Sequence, residues 1–372
     1  MSHWVHRFLF SGLFVYGSSC ASAGEYEIRT LAGIGVASYS GDGGAAVEAG
    51  LNNPFGVIFE PSGDILICDT GNHVIRRVDR ETGVITTIVG TGQAGYSGDG
   101  GPPLEAALYE PYEVRVHPSG DVYWVEMKNH VVRRLEVGTN EVQTVAGSGE
   151  QGFSGDGGPA IAAAMSRPHS IVFDRLGENL FICDIGNHRI RRVELKSGMI
   201  STWCGTGKAQ LTPDGASVSD ATPLKGPRAL DRSPNGDLWL ALREGNQVFR
   251  IDMNEKTLHH VAGTGKKGFH PERRPALEAQ LSGPKGIAIS PDGSLVYLAD
   301  TESHTVRVID LSENPPVVRL VAGTGRKGNG PDGPDPLACN MDRLHGVGVD
   351  PETGALLIGD SEAHKVRLLS PK

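Results

Sequence analysis

Six positions in this 372-residue chain pair reactive side chains with a recurring setting: Phe55, Tyr112, His169, Arg228, Lys285 and His345. Five of them follow a proline (Pro54, Pro111, Pro168, Pro227 and Pro284) and the sixth follows Leu344. An apolar run comes next, such as Gly56-Val57-Ile58-Phe59. The surroundings repeat, whereas these six vary except for the two histidines. A purely structural position would repeat one residue type. Tyr112, His169, Arg228, Lys285 and His345 have the makings of a base, an acid and a charge clamp for an anionic sugar or lactone. Tyr112, Arg228 and Lys285 are the candidates for catalysis. A carboxylate also recurs after a second apolar run, as Asp69, Glu126, Asp184, Asp300 and Asp360. A repeated aspartate there anchors the following turn through backbone hydrogen bonds. Glu126 and Glu113 depart from the repeat and join the ligand-binding candidates. The fourth copy breaks the series with Leu242, beside Arg243.

The elements that must carry these residues are visible as six-fold self-similarity. Val-Ala-Gly-Thr-Gly recurs with small changes at Leu31, Ile88, Val145, Trp203, Val261 and Val321, spaced by 57 to 60 residues. Between copies lie two apolar runs joined by a turn such as Pro61-Ser62-Gly63-Asp64. A third run follows, Asn72-His73-Val74-Ile75-Arg76-Arg77-Val78, with equivalents from Asn129, Asn187, Asn246, Ser303 and Ala363. Three short strands and a fourth carrying the Ala-Gly-Thr-Gly segment make one propeller blade. Such short strands cannot bury both faces alone, so blades must stack. The fold expected is all-β, a six-bladed β-propeller over residues 24–372. The repeats begin with a fourth strand, Glu27-Ile28-Arg29-Thr30-Leu31-Ala32, and end with strands one to three. Pairing these ends closes the ring and removes an exposed edge.

In that fold the residue after each repeat proline points into the mouth of the central channel, and His169 and His345 face each other across it. His73, His130, His188, His304 and His364 occupy equivalent places on a wide ring. They cannot share one metal ion, whose ligands lie about 2 Å away, and are expected to pack blades. Three inserts read Ser-Gly-Asp-Gly-Gly from Ser40, Ser97 and Ser154. Calcium is one use for them, but each offers one carboxylate, which favours a turn with an N-cap and a short helix.

The Asn-His-Val/Arg element, its Asp-Thr-Gly-Asn lead-in and the period resemble NHL-repeat propellers over about residues 27 to 370. The resemblance implies fold more than function, since such propellers act as enzymes, receptors and interaction platforms. Pro168-His169-Ser170 also resembles the blade-start element of peptidylglycine amidating lyase propellers, which bind zinc through histidines. That likeness implies His169 and His345 as metal ligands, with Tyr112 and Arg228 acting on the substrate. Only two histidines match, so a third ligand falls to Glu113, Glu126 or another residue. Binding of a small molecule, glycan, peptide or protein at the channel mouth, and metal-assisted or metal-free lyase or hydrolase chemistry there, both stand as expectations.

Residues 1–23 read as a secretory signal: Arg7 precedes an apolar run from Phe8 to Tyr16, and Ala21-Ser22-Ala23 fits a cleavage site. The run is too short to span a bilayer, and no later stretch is long enough. The expectation is a secreted or periplasmic monomer. The formal net charge is −9, which disfavours nucleic acid as a partner. Cys68, Cys183, Cys204 and Cys339 are expected as buried free thiols.

Overall fold

The computed structural model describes residues 26–372, so the leader-like residues 1–23 lie outside the described part. Near-continuous apolar runs bury both faces of the second strands, such as Ile65–Asp69, whereas outer strands such as Ile85–Val89 keep part of their length exposed. The runs assemble into six antiparallel sheets around an axis. The innermost strands are Pro54–Phe59, Pro111–Val116, Pro168–Phe173, Pro227–Arg232, Pro284–Ile289 and Val347–Val349. Three sheets add a two-residue strand outside the fourth, at Gly158–Pro159, Ala216–Ser217 and Arg274–Pro275. The ring closes as expected: Tyr26–Ala32 pairs antiparallel with Lys365–Pro371, with Ile28 opposite Leu369.

Among the described residues there are six apolar clusters, one between each pair of neighbouring blades. Leu66, Val114 and Trp124 join blades one and two, for example, and Phe181, Leu240 and Phe249 join blades three and four. Cys68, Cys183, Cys204 and Cys339 are buried in these seams as free thiols. The glycine of each Val-Ala-Gly-Thr-Gly copy leaves the outer strand with positive φ. At Gly147 φ is 97°, and a Cβ would stand 2.3 Å from the His130 carbonyl oxygen.

The repeated histidines do pack blades, by a specific bond. His73, His130, His188, His304 and His364 all have positive φ, and each Nδ1 accepts an N–H from the next blade. The donors are Glu110, Arg167, Gly226, Arg343 and Asn53, at 3.1 to 3.3 Å. In blade four the same left-handed position holds Asn246 (φ 48°), whose Oδ1 accepts from Gly283 at 2.9 Å. This corrects the sequence alignment: Asn246 stands for the histidine, not for the asparagine before it.

The Ser-Gly-Asp-Gly-Gly inserts also differ from expectation. Each leads to a three-residue 3-10 turn with no side-chain cap. Their aspartates pair with arginines buried in the third strands: Asp42 with Arg76, Asp99 with Arg133 and Asp156 with Arg191, at 2.6 to 2.8 Å. The carboxylates are thus committed to guanidinium groups and are not a calcium set. The same arginines approach Asp69, Glu126 and Asp184 at the ends of the second strands. Blade four replaces both buried partners, with Leu242 for the carboxylate and Phe249 for the arginine. The exchange is consistent because an isolated buried charge costs far more than a packed apolar pair.

Replacing His130 with Ala is expected to lower unfolding free energy by about 1 kcal/mol, the net worth of one hydrogen bond. His130→Asn is expected to recover most of it, since Asn246 does this work natively. Urea unfolding of the three proteins measures both effects.

Candidate functional site

Two backbone features aim the six variable residues. The residue two positions before each one is left-handed: Asn53, Glu110, Arg167, Gly226, Gly283 and Arg343 have φ from 46° to 71°. In blades one to five the inner strand then carries one residue more than its partner. Pro111 lies opposite Glu126 and Glu113 opposite Val125, leaving Tyr112 as the bulge. Arg228 and Lys285 are bulges in the same way, and the shift in blades one and three spans Phe55 and His169. A bulge bends the strand and re-aims a side chain. Close approach of the inner strands helps as well: a Cβ on Gly346 would stand 2.2 Å from the Phe55 carbonyl oxygen.

All six side chains meet and plug the channel. Phe55 stacks on His345 with centroids 3.9 Å apart and touches Tyr112 at 4.6 Å. His169 packs on Tyr112 edge to face at 4.4 Å. The Arg228 guanidinium lies over the Tyr112 ring, 4.3 Å from its centroid, and its Nη2 donates to the Tyr112 hydroxyl. Lys285 Nζ donates to His345 Nε2 at 3.1 Å. The two histidines therefore do not oppose each other across open space. Both pack against Tyr112.

Hydrogen bonds define the histidine tautomers. His169 Nδ1 donates to the Arg167 carbonyl at 2.6 Å, and His345 Nδ1 to the Arg343 carbonyl at 2.7 Å. Both Nε2 atoms are thus acceptors. Burial pulls the His169 pKa down to about 3 and, with the Lys285 charge, holds His345 well below the imidazole range. Burial and the nearby Arg228 lower Lys285 to about 7. Arg228 is 3 % exposed, and its Nε and Nη1 have no partner. Burial disfavours its charge, with Arg243 adding repulsion.

Above the plug lies a pocket of about 390 Å³. Its lining includes Tyr112, His169, Arg228 and Lys285, together with Met127, Ile185 and Arg243. Below it, a void of about 20 Å³ separates Tyr112, Lys285 and His345 from Glu113 and Arg115. Glu113 Oε1 accepts from Ser170 Oγ at 2.9 Å and lies 3.0 Å from Arg115. Burial pushes Glu113 up to about 7. Asp231 lies beyond Arg115, where the opposite mouth opens into a second pocket of about 380 Å³.

Glu126 is not brought to the site. Its oxygens accept from Tyr109 N–H, Trp124 Nε1, Asn129 Nδ2 and Arg133 Nη1, so it anchors its turn as the aspartates do elsewhere. Nor do the residues fit a zinc ion. Lys285 holds the His345 Nε2 lone pair, Glu113 is committed to Ser170 and Arg115, and Glu126 serves its turn. Among the described residues, the group with donor atoms within 4.8 Å of one another is Asp252, Glu255 and His259, where the hairpin between the third and fourth strands of blade four turns. Sequence reasoning noted Arg243 beside Leu242 but missed Met127 and Ile185 in the pocket. Their signal was present, since each departs from a repeated Thr or Ser.

Six sheets with a plugged axial channel define a β-propeller. A family model described as lactonase, 7-bladed beta-propeller, matches residues 138–331, over half of the chain, and the chain belongs to this NHL-type propeller family, with six blades in its own structure. It is 27% identical to chicken NHL repeat-containing protein 2 over 291 residues, 71% of this chain and 40% of that protein. The chain thus spans less than half the length of that relative. A Bacteroides thetaiotaomicron protein of unknown function superposes with a TM-score of 0.67 at 18% identity, covering 93% of this chain and 76% of the other. Virginiamycin B lyase from Staphylococcus aureus does so with a TM-score of 0.51 at 14% identity, covering 94% of this chain and 100% of the other. These likenesses are of fold.

Lys285→Met is expected to raise the His345 pKa while leaving it below the usual 6.5, because burial is the larger cause. Titration of the His345 ring by NMR checks both the direction and the ceiling.

Proposed function

We propose that the protein binds a small organic anion at the upper mouth of its channel. One observation carries this: Arg228 is a buried guanidinium with Nε and Nη1 lacking partners, beside Lys285 on the pocket. Buried donors without partners are costly, and an anion would satisfy them. The pocket carries Arg167, Arg228, Arg243 and Lys285 against only Glu110 and Glu244, on a chain with net charge −9. Its volume falls within the usual range for small-molecule sites, about 300–1,000 Å³. The leader-like residues 1–23 favour an exported setting for this binding.

The second proposal is acid–base chemistry at the same place, opening a lactone or eliminating a leaving group. It is favoured by the neutral His169, whose Nε2 is a free acceptor on the pocket. In lactone opening His169 would take a proton from the water that attacks the carbonyl carbon and return it to the alkoxide as the ring C–O bond breaks, while Arg228 would hold the developing oxyanion; in elimination His169 would take a C–H proton as the leaving group departs. Dihydrocoumarin hydrolysis followed by proton release tests it. His169→Ala is expected to abolish turnover, and no turnover by the wild type would leave binding alone.

Lys285 carries its charge below about pH 7 and loses it above. Affinity for an anion such as phenylacetate is therefore expected to fall as pH rises through 7. Arg228→Gln is expected to weaken it by about ten- to a hundredfold, the worth of a charge-assisted bond. Calorimetry at pH 6 and 8.5 measures both. Affinity that is unchanged across that range and in Arg228→Gln would overturn the proposal.

A further inference from the structure

The residue after the second-strand carboxylate follows a rule that half the blades break. In blade one Thr70 Oγ1 donates to the Pro111 carbonyl of the next blade at 2.7 Å. In blade five Thr301 Oγ1 donates to the Leu344 carbonyl at 2.7 Å, and in blade six Ser361 Oγ donates to the Pro54 carbonyl at 2.8 Å. Each hydroxyl is buried and ties its loop to the neighbouring inner strand. Blades two, three and four carry Met127, Ile185 and Arg243 at this position. These three line the upper pocket, while Thr70, Thr301 and Ser361 do not.

The break in symmetry sets two apolar side chains among the polar groups of the pocket. Going round the ring, blades two and three contribute Met127 and Ile185, side chains with no hydrogen-bonding group to offer a hydroxyl, beside Glu110, Arg167 and His169. Blades four and five contribute Arg228, Arg243 and Lys285. Arg243 is partly neutralised by Glu244, with Nη1 2.7 Å from Oε1, whereas Arg228 has no carboxylate partner. Phe55 adds an aromatic face.

From this juxtaposition we infer that the ligand is a carboxylic acid with an apolar body, its carboxylate on Arg228 and Lys285 and its body against Met127 and Ile185. This rests on the anion-binding reading of the mouth and narrows it. A polyol acid such as a uronate would strand its hydroxyls against Met127 and Ile185, giving up water without a new partner. An aryl or alkyl body gains by leaving water there.

The test is calorimetry on the full chain at pH 6.5, with phenylacetate, acetate, glucuronate and the neutral phenylacetamide as probes. Phenylacetate is expected to bind at least about tenfold tighter than acetate or glucuronate, and phenylacetamide to show no binding. Ile185→Thr and Met127→Thr restore the residue type of blades one and five. Each is expected to reduce the ratio of phenylacetate to acetate affinity, while circular dichroism reports an intact fold. Equal binding of the three acids, or an unchanged ratio in both variants, overturns this inference and leaves the anion site standing. Binding of none of the acids removes the anion site itself, and this inference with it.

Discussion

Everything at the channel mouth depends on one hydrogen bond made six times. A left-handed residue at the end of each incoming loop turns its N–H toward the previous blade, where a histidine or Asn246 accepts it. That bond sets where the inner strand begins, and the side chain two residues on then projects into the axis. The conformation is unfavourable for Asn53, Glu110, Arg167 and Arg343, which are not glycine. It holds because acceptor and donor sit in different blades that apolar seams have already brought together. Burial keeps His73, His130, His304 and His364 below the ordinary imidazole range, which preserves the acceptor lone pair. The blade interface is therefore also the positioning device for the site.

A rigid ring of this kind lets single positions vary without disturbing the frame. Blade four shows how far that goes. Its buried charge pair is replaced on both sides, by Leu242 and Phe249, and the seam with blade three remains fully packed. Beside the lost carboxylate, Arg243 stands where blades one and five carry Thr70 and Thr301 and blade six carries Ser361. The same departure from the repeat supplies a seam residue and a pocket cation. Met127 and Ile185 give up an inter-blade hydrogen bond and gain a place on the pocket wall. Variation concentrates on blades two to four, and so does the cavity.

The fold was legible because six copies in register repeat every cue: turn prolines, alternating runs and the left-over strand at each end. The six mouth residues were legible for the opposite reason, as disagreements within a repeat. What the sequence did not disclose lies at the level of hydrogen-bond partners. The aspartates of the inserts read as turn formers or calcium donors, because nothing local reveals an arginine 34 or 35 residues further on. Glu126 read as functional because it differs from Asp, yet its longer side chain does the same anchoring and also reaches Trp124. The bulges were invisible, since an extra residue in a six-residue strand leaves no mark on an apolar run. Without them His169 and His345 were expected to face each other, and Tyr112 was not expected between them and Arg228.

The electrostatics of the mouth follow from that crowding. Arg228, Lys285 and two histidines share a space from which water is largely excluded, so each raises the cost of charge on the others. The arrangement resolves this by keeping both histidines neutral and fixing their tautomers with backbone carbonyls. Lys285 is brought near the point of losing its proton, with Glu302 3.5 Å away as its one close carboxylate among the described residues. Arg228 cannot shed its proton at any ordinary pH, and its contacts are with the face and hydroxyl of Tyr112 rather than with a carboxylate. A negative ligand would therefore act twice, giving Arg228 a counter-charge and returning Lys285 to its ammonium form. Binding would draw a proton from solution near neutrality, a signature that a neutral ligand in the same pocket would not produce.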